Sequence, residues 1–210
     1  MHFPHTFKSK ISNNITSIIK SRRSIRKYTS QAVTHSQIEA MIEAASLAPS
    51  AKNRQPWKYI VYMESAKEEL LEVMEKALIN EQNEHALLPD FASELPDAFH
   101  TLQVMKNAPA VIIVMNPIGN SLFEPIFLYS RIAEVSDTLS IGASIENMLL
   151  KATELGLGTL WIANTCFAYD DMIEFINSPG QLVGAVAVGY ADENPQPRPR
   201  KELWEILEYR

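Results

Sequence analysis

The hexapeptide Gly156-Leu157-Gly158-Thr159-Leu160-Trp161 decides what kind of mixed helix and strand chain this is. Six of the seven glycines lie after residue 140, and this turn holds the only paired ones. A dinucleotide-binding fingerprint needs its glycines after a strand and before a helix, with Gly or Ala where this chain has Trp161. Here the order is reversed. A helical pattern from about Asp137 to Leu155 runs into Gly156, which reads as a C-cap, and Thr159 to Ala163 reads as a strand. A glycine turn feeding a Trp-bearing strand lets backbone approach a flat ligand closely. Taken alone, it also reads as an ordinary helix end beside a core Trp.

Working outward, Ile11, Ile15, Ile18 and Ile19 have helical spacing. Thr34 and Gln37 form a capping box for a helix with Ile38, Met41, Ile42 and Ala45 on one face, and Pro49 marks its stop. Trp57 to Met63 reads as a strand, and Ser65 with Glu68 as the cap of a third helix through Leu78. From about Asn80 to Asn107 periodicity weakens around Pro89 and Pro96, so this reads as an irregular excursion with short helices. Ala110 to Met115 reads as a buried strand. Leu182 to Tyr190 is a further strand, preceded by a short helix that Asp170 would cap. Pro195, Pro197 and Pro199 make the tail extended, and a last short helix carries Leu203, Trp204, Ile206 and Leu207. Strands interleaved with helices imply an α/β or α+β chain, without internal repeats.

With 210 residues, 46% apolar and 21% charged, the composition is that of one globular domain. A lone Cys166 permits no intramolecular disulfide and no thiolate metal cage, which makes a reducing cytoplasm the expected setting. The longest strongly apolar run, Ala110 to Met115, is too short to cross a bilayer, and Met1 to Lys10 has no signal-like stretch. A net charge of -6 argues against general nucleic-acid binding. The distribution of charge says more. Lys20, Arg22, Arg23, Arg26 and Lys27 form one basic island, no acidic residue precedes Glu39, and Arg198, Arg200 and Lys201 form a second. Two such islands on an acidic chain suggest one small anion, or else two patches of solvated surface.

Catalytic and metal motifs are missing. There is no GxxxxGK[ST] phosphate loop and no GxSxG nucleophile turn, and His2, His5, His35, His85 and His100 have no HExxH pairing or clustered acids. Cys166 reads as a buried structural thiol. The loop Ala48 to Trp57 is polar and stiffened by Pro49 and Pro56, and its Asn53 and Gln55 offer both donors and acceptors, as an amphoteric heterocycle edge requires. It also reads as a plain connection.

Four pieces in order, Arg22 to Tyr28, the Pro49 to Trp57 loop, the Gly156 to Trp161 turn, and Val188-Gly189-Tyr190 followed by Arg198-Pro199-Arg200-Lys201, resemble the nitroreductase family of FMN-dependent oxidoreductases. The resemblance runs from Ile18 to Ile206. It implies an α+β fold, a mixed and mainly antiparallel central sheet flanked by helices, in a single domain of residues 1–210 with a variable substrate lid around 80–129. Arg22, Ser24 and Arg26 match the segment that grips FMN phosphate and ribityl, with Arg23 beside it. Arg198 and Arg200 match the distal pair on the same phosphate. Asn53 and Gln55 match the loop that reads the flavin edge, Pro49 and Ser50 lie along it, and Leu160 and Trp161 match the backbone beside the isoalloxazine. Glu146-Asn147 stands where many members carry Gln-Asn.

The resemblance also implies a function. NADH or NADPH gives a hydride to flavin N5, and an organic acceptor such as a nitroaromatic or quinone then takes the same face. No side-chain nucleophile and no metal are needed. A cation such as Arg26 or Lys52 near the N1 edge would favour reduced flavin. A homodimer with FMN at the interface is expected. Alternatives are a non-catalytic FMN storage or carrier protein, a specialised dehalogenase or azoline oxidase, and a colourless nucleotide- or phosphopeptide-binding module using the same Arg islands.

Overall fold

A computed structural model of the chain describes residues 14–82 and 86–210. Ile11, His2, His5 and His85 lie outside that range, as does the stretch Met1 to Lys10. Four strands, β1 (Lys58–Met63), β2 (Ala110–Asn116), β3 (Gly158–Ile162) and β4 (Gln181–Gly189), form one sheet in the order β1-β2-β4-β3. Every pairing between these strands is antiparallel. A parallel bridge from Ser24 to Thr159 adds the N-terminal segment to the outer edge of β3.

Both faces of the sheet are covered, which is why β2 is almost wholly apolar and buried along its whole length. Its residues alternate between two cores. Val111, Ile113 and Met115 pack with Leu71 and Met74 of α3 (Glu64–Glu81), Leu102 and Met105 of α4 (Leu95–Asn107), and Met172 of α6 (Tyr169–Ile176). Ala110, Ile112 and Val114 pack with Met41 of α2 (His35–Ser46) and Ile145 and Met148 of α5 (Leu128–Glu154). The result is an α+β protein with a helix layer on each side of an antiparallel sheet.

Local signals explain most boundaries. Helix α1 (Ile15–Ser21) starts at Asn14, whose side chain accepts from the Thr16 N–H. The Thr34–Gln37 capping box is formed in both directions, at 3.3 Å and 3.0 Å. Helix α5 ends in a Schellman turn. The Leu157 N–H reaches the Ala152 carbonyl and the Gly156 N–H the Thr153 carbonyl, with Gly156 at φ +76°.

The structure corrects four expectations. Ser65 does not cap α3, which begins at Glu64 after Met63 with no side-chain cap. Asp170 lies in the first turn of α6, where its charge suits the positive end of the helix dipole, but Ala168 is the cap residue. The stretch before Asn107 is irregular only in its first part, where a short 3₁₀ helix spans Pro89–Glu94; from Leu95 on, α4 is a 13-residue helix with Leu95, Ala98, Leu102 and Met105 buried. Pro96 sits in its first turn, where the missing N–H has no helical partner to lose. Helix α5 starts at Leu128, well before Asp137.

Candidate functional site

Residues 22–28 cross the edge of β3 because Gly158 has no side chain. A Cβ there would fall 2.7–2.9 Å from Ile25 side-chain atoms. The close approach lets the Ile25 N–H donate to the Thr159 carbonyl at 2.9 Å and leaves Arg22, Ser24 and Arg26 beside the strand edge. Ile25 is buried and anchors the segment.

Residues 190–192 run antiparallel to 27–29 on the other side. Thr29 N–H donates to the Tyr190 carbonyl and Asp192 N–H to the Lys27 carbonyl, both at 2.9 Å. Glu193 then turns its carboxylate onto two consecutive backbone amides, accepting from Arg26 N–H at 2.5 Å and Lys27 N–H at 3.2 Å. These contacts fix where the extended Pro-rich arm begins. Arg198 and Arg200 accordingly come to line the same cleft of about 520 Å³ as Lys20, Arg22, Arg23 and Arg26. The arginines of the two basic islands, distant in sequence, thus meet on one cationic surface with Lys20, while Lys27 and Lys201 do not line it. Arg23 holds its guanidinium on the Lys20 and Arg22 carbonyls, each at 2.8 Å.

A second cleft of about 380 Å³ adjoins the first, sharing Arg22 and Ser24, and is walled by Thr159, Trp161 and Glu146. Trp161 is 45% exposed and faces α5 at Gly142, whereas Leu160 on the opposite face is buried in the α3–α4 core. Only the backbone of Leu160 can therefore serve the cleft. Glu146 accepts from Arg22 Nε at 3.2 Å, which places a carboxylate against one of the cleft cations. Tyr28 O–H donates to the Ile25 carbonyl at 2.8 Å beneath the segment. Burial first, and the Glu193 carboxylate second, push its phenol well above the usual range.

The loop residues Pro49, Ser50, Asn53 and Gln55 are not in either cleft. Ala51 N–H donates to Ser140 Oγ at 3.3 Å, and Arg54 pairs with Asp137 at 3.0 Å, which seats the loop on α5. At 3.6 residues per turn, Asp137 and Glu146 are about two and a half turns apart and leave the helix on opposite flanks. The loop is nonetheless unusual: Lys52, Asn53 and Gln55 all have left-handed φ, at 55°, 54° and 48°. Such backbone in non-glycine residues costs energy and is concentrated where function demands it. Lys52 lies on this loop, away from the Arg clefts, while Arg26 lines one of them.

Sequence reasoning missed Thr159, Glu193 and the Arg54–Asp137 pair. Glu193 stands just ahead of the Pro-rich arm, but nothing in its local pattern announces that it binds amides more than a hundred residues away.

Among known proteins, the sequence model of the Nitroreductase family matches residues 19–190. An inferred NADH dehydrogenase/NAD(P)H nitroreductase of Archaeoglobus fulgidus is 28% identical over 194 residues, covering 90% of this chain and 88% of the relative. An inferred NAD(P)H nitroreductase of Streptococcus pyogenes is 26% identical, covering 91% of this chain and 96% of its own. A solved nitroreductase-like protein of Bacillus cereus superposes with a TM-score of 0.70 at 25% identity, covering 96% of this chain and 98% of that one. The fold is also that of an FMN-dependent nitroreductase of Mycobacterium smegmatis solved with NADPH, with a TM-score of 0.73 at 22% identity, covering 93% and 97%.

Proposed function

The chain belongs to the nitroreductase family, and on that premise we propose that it is an FMN-dependent oxidoreductase that moves a hydride from NADH or NADPH to a small organic acceptor such as a quinone or nitroaromatic. The observation that carries this reading is the convergence of Arg22, Arg23, Arg26, Arg198 and Arg200 in one cleft that opens onto an exposed Trp161. An anion-sized cationic end joined to a slot beside an aromatic ring fits a flavin monophosphate. Arg22, Arg23, Ser24, Arg26, Arg198 and Arg200 would hold its phosphate and ribityl, guanidinium forks and hydroxyls being the donors a dianion rewards. Trp161 and the Leu160 backbone would flank the ring end. Bound FMN would supply the hydride-accepting chemistry at its N5.

Pro49, Ser50, Asn53 and Gln55 sit on the other flank of α5, so a second copy of the chain is proposed to bring them to the flavin edge. Two surfaces support a homodimer. Leu128, Ile132, Val135 and Leu139 form an exposed apolar stripe along α5, at helical spacing that leads to Gly142 and Glu146 beside the cleft. Trp204 is 78% exposed on α7 (Leu203–Ile206), at the end of the arm.

We read residues 1–210 as one domain and narrow the substrate lid to the part of 80–129 that follows β2. Phe99 packs against the α3–α4 core on the far side of the sheet, whereas Ile118, Gly119, Asn120 and Ile126 line a cavity with Arg54. Among the described residues no helix is long and apolar enough to cross a membrane. The lone Cys166, with no second cysteine to pair with, supports a cytoplasmic setting.

The test is the visible spectrum of the purified protein, release of FMN rather than FAD on denaturation, and NAD(P)H turnover with a quinone and nitroaromatic panel. A colourless protein that takes up no FMN overturns the reading. A yellow protein without turnover would make it an FMN carrier instead. Light scattering of the yellow form should give a dimer mass.

A further inference from the structure

Two buried polar atoms have no hydrogen-bond partner among the described residues, Asn116 Nδ2 and Asp137 Oδ1, and both residues line the same cavity of about 230 Å³. Asn116 is 1% exposed and Asp137 3% exposed. Leaving such groups unpaired is costly, so two orphans on residues that line one space point to a guest. The space is large enough for several waters at about 30 Å³ each, and therefore for one small organic molecule.

The orphans are specified chemically. Asn116 Oδ1 accepts from the Ile118 N–H at 3.2 Å, which orients the amide and leaves Nδ2 as a donor toward the cavity. Asp137 Oδ2 is engaged by Arg54 at 3.0 Å, which leaves Oδ1 as an acceptor. Gly119 keeps room for this arrangement, since a Cβ there would fall 2.7 Å from Asn116 Nδ2. Ile118, Ile126 and Tyr129 supply apolar wall.

We propose that this cavity is a binding site for a small aromatic or heterocyclic primary carboxamide, whose carbonyl accepts from Asn116 Nδ2 while its NH₂ donates to Asp137 Oδ1. The cavity shares no residue with either Arg cleft, but the segment read above as the substrate lid lines it, so the proposal rests on that reading for the cavity's place in the molecule and not on the phosphate site. A carboxylate would accept from Asn116 Nδ2 but has no hydrogen to give Asp137 Oδ1, and it would meet the Asp137 and Glu134 carboxylates with Arg54, already paired to Asp137, as the one cation in the lining. An amidinium would satisfy Asp137 but present only donors to Asn116 Nδ2. A carboxamide alone of the three answers both orphans.

Benzamide, benzoate and benzamidine share shape and differ in just this respect. Titrated into the protein as purified, with calorimetry and methyl NMR as readouts, benzamide should bind about tenfold or more tightly than either analogue, with shifts confined to residues around Ile118 and Ile126. Asn116→Leu should abolish the preference. Asp137→Asn, which leaves the Arg54 charge unopposed, should move it toward benzoate. The wild-type series decides the matter even if a variant fails to fold. No binding of benzamide at millimolar concentration, equal binding of all three, or binding that perturbs a flavin spectrum and survives Asn116→Leu, would each overturn the proposal.

Discussion

Arg22 gives its Nε to Glu146 and keeps the rest of its fork for the cleft, whereas Arg200 reaches the Pro199 carbonyl, at 3.3 Å, on its own arm. The two arginines should therefore respond differently to change. Arg200→Ala removes a cation whose hydrogen bonds stay within the arm. FMN affinity measured by fluorescence quenching should fall about tenfold, since hydrogen bonds to charged groups contribute about 1.5–3 kcal/mol when desolvated and less in an exposed arm. The urea midpoint should not move. Unchanged affinity would leave Arg200 as solvated surface. Glu146→Gln should act in the opposite sense. Removing a carboxylate from beside Arg22 should tighten FMN by about two- to fivefold, in line with the ~0.2–1 kcal/mol of a partly exposed pair. Weaker binding in that variant would mean that Glu146 holds Arg22 in its working position.

At the scale of elements, the site depends on how closely the 22–28 segment lies on β3. Gly158→Ala would set a methyl against Ile25, and overpacking of this kind costs about 1–3 kcal/mol. A double-mutant cycle in urea between Gly158→Ala and Ile25→Ala should show a coupling of at least ~0.5 kcal/mol, and strict additivity would show that the two do not meet. The same crossing shows how far local pattern carries. Strand β2 was legible because burial on both faces demands an unbroken apolar run, and the Thr34 box because its chemistry lies within one turn. Helix α4 was hidden by Pro96, read as a breaker although first-turn proline is harmless. The first turns of α5 were legible but passed over, since Leu128, Ile132, Val135 and Leu139 stand at helical spacing in the sequence and begin well before the expected start at Asp137. Among site residues, the Arg islands were legible as charge. Their meeting was not, since it depends on Glu193 and on the 27–29 to 190–192 pairing, contacts that exist only once the sheet is built.

For the whole molecule, alkaline pH is an informative stress. Burial raises the phenols of Tyr28, Tyr59 and Tyr62, so the folded state holds these protons more tightly than the unfolded chain. A raised folded value means that the stabilisation is full below the unfolded value of about 10 and is lost as pH climbs toward the folded ones. Lys67, lowered by burial, contributes in the other direction through its own window. With three phenols and the Cys166 thiol, likewise raised by burial, against one amine, stability should fall as pH rises past about 9 to 10. Tyrosinate absorbance from these partly buried rings should rise together with loss of circular dichroism. Titration of these phenols in a fully folded protein would contradict their burial. The strand order has its own consequence, in time rather than in space. Both β2 and β3 pair with β4, the last of the four strands to leave the ribosome, so β3 has no neighbour among them until residues 181–189 have emerged. Until then two apolar strands wait with open edges during synthesis, and a nascent chain stalled before Gln181 is a substrate for chaperones rather than a partly finished enzyme.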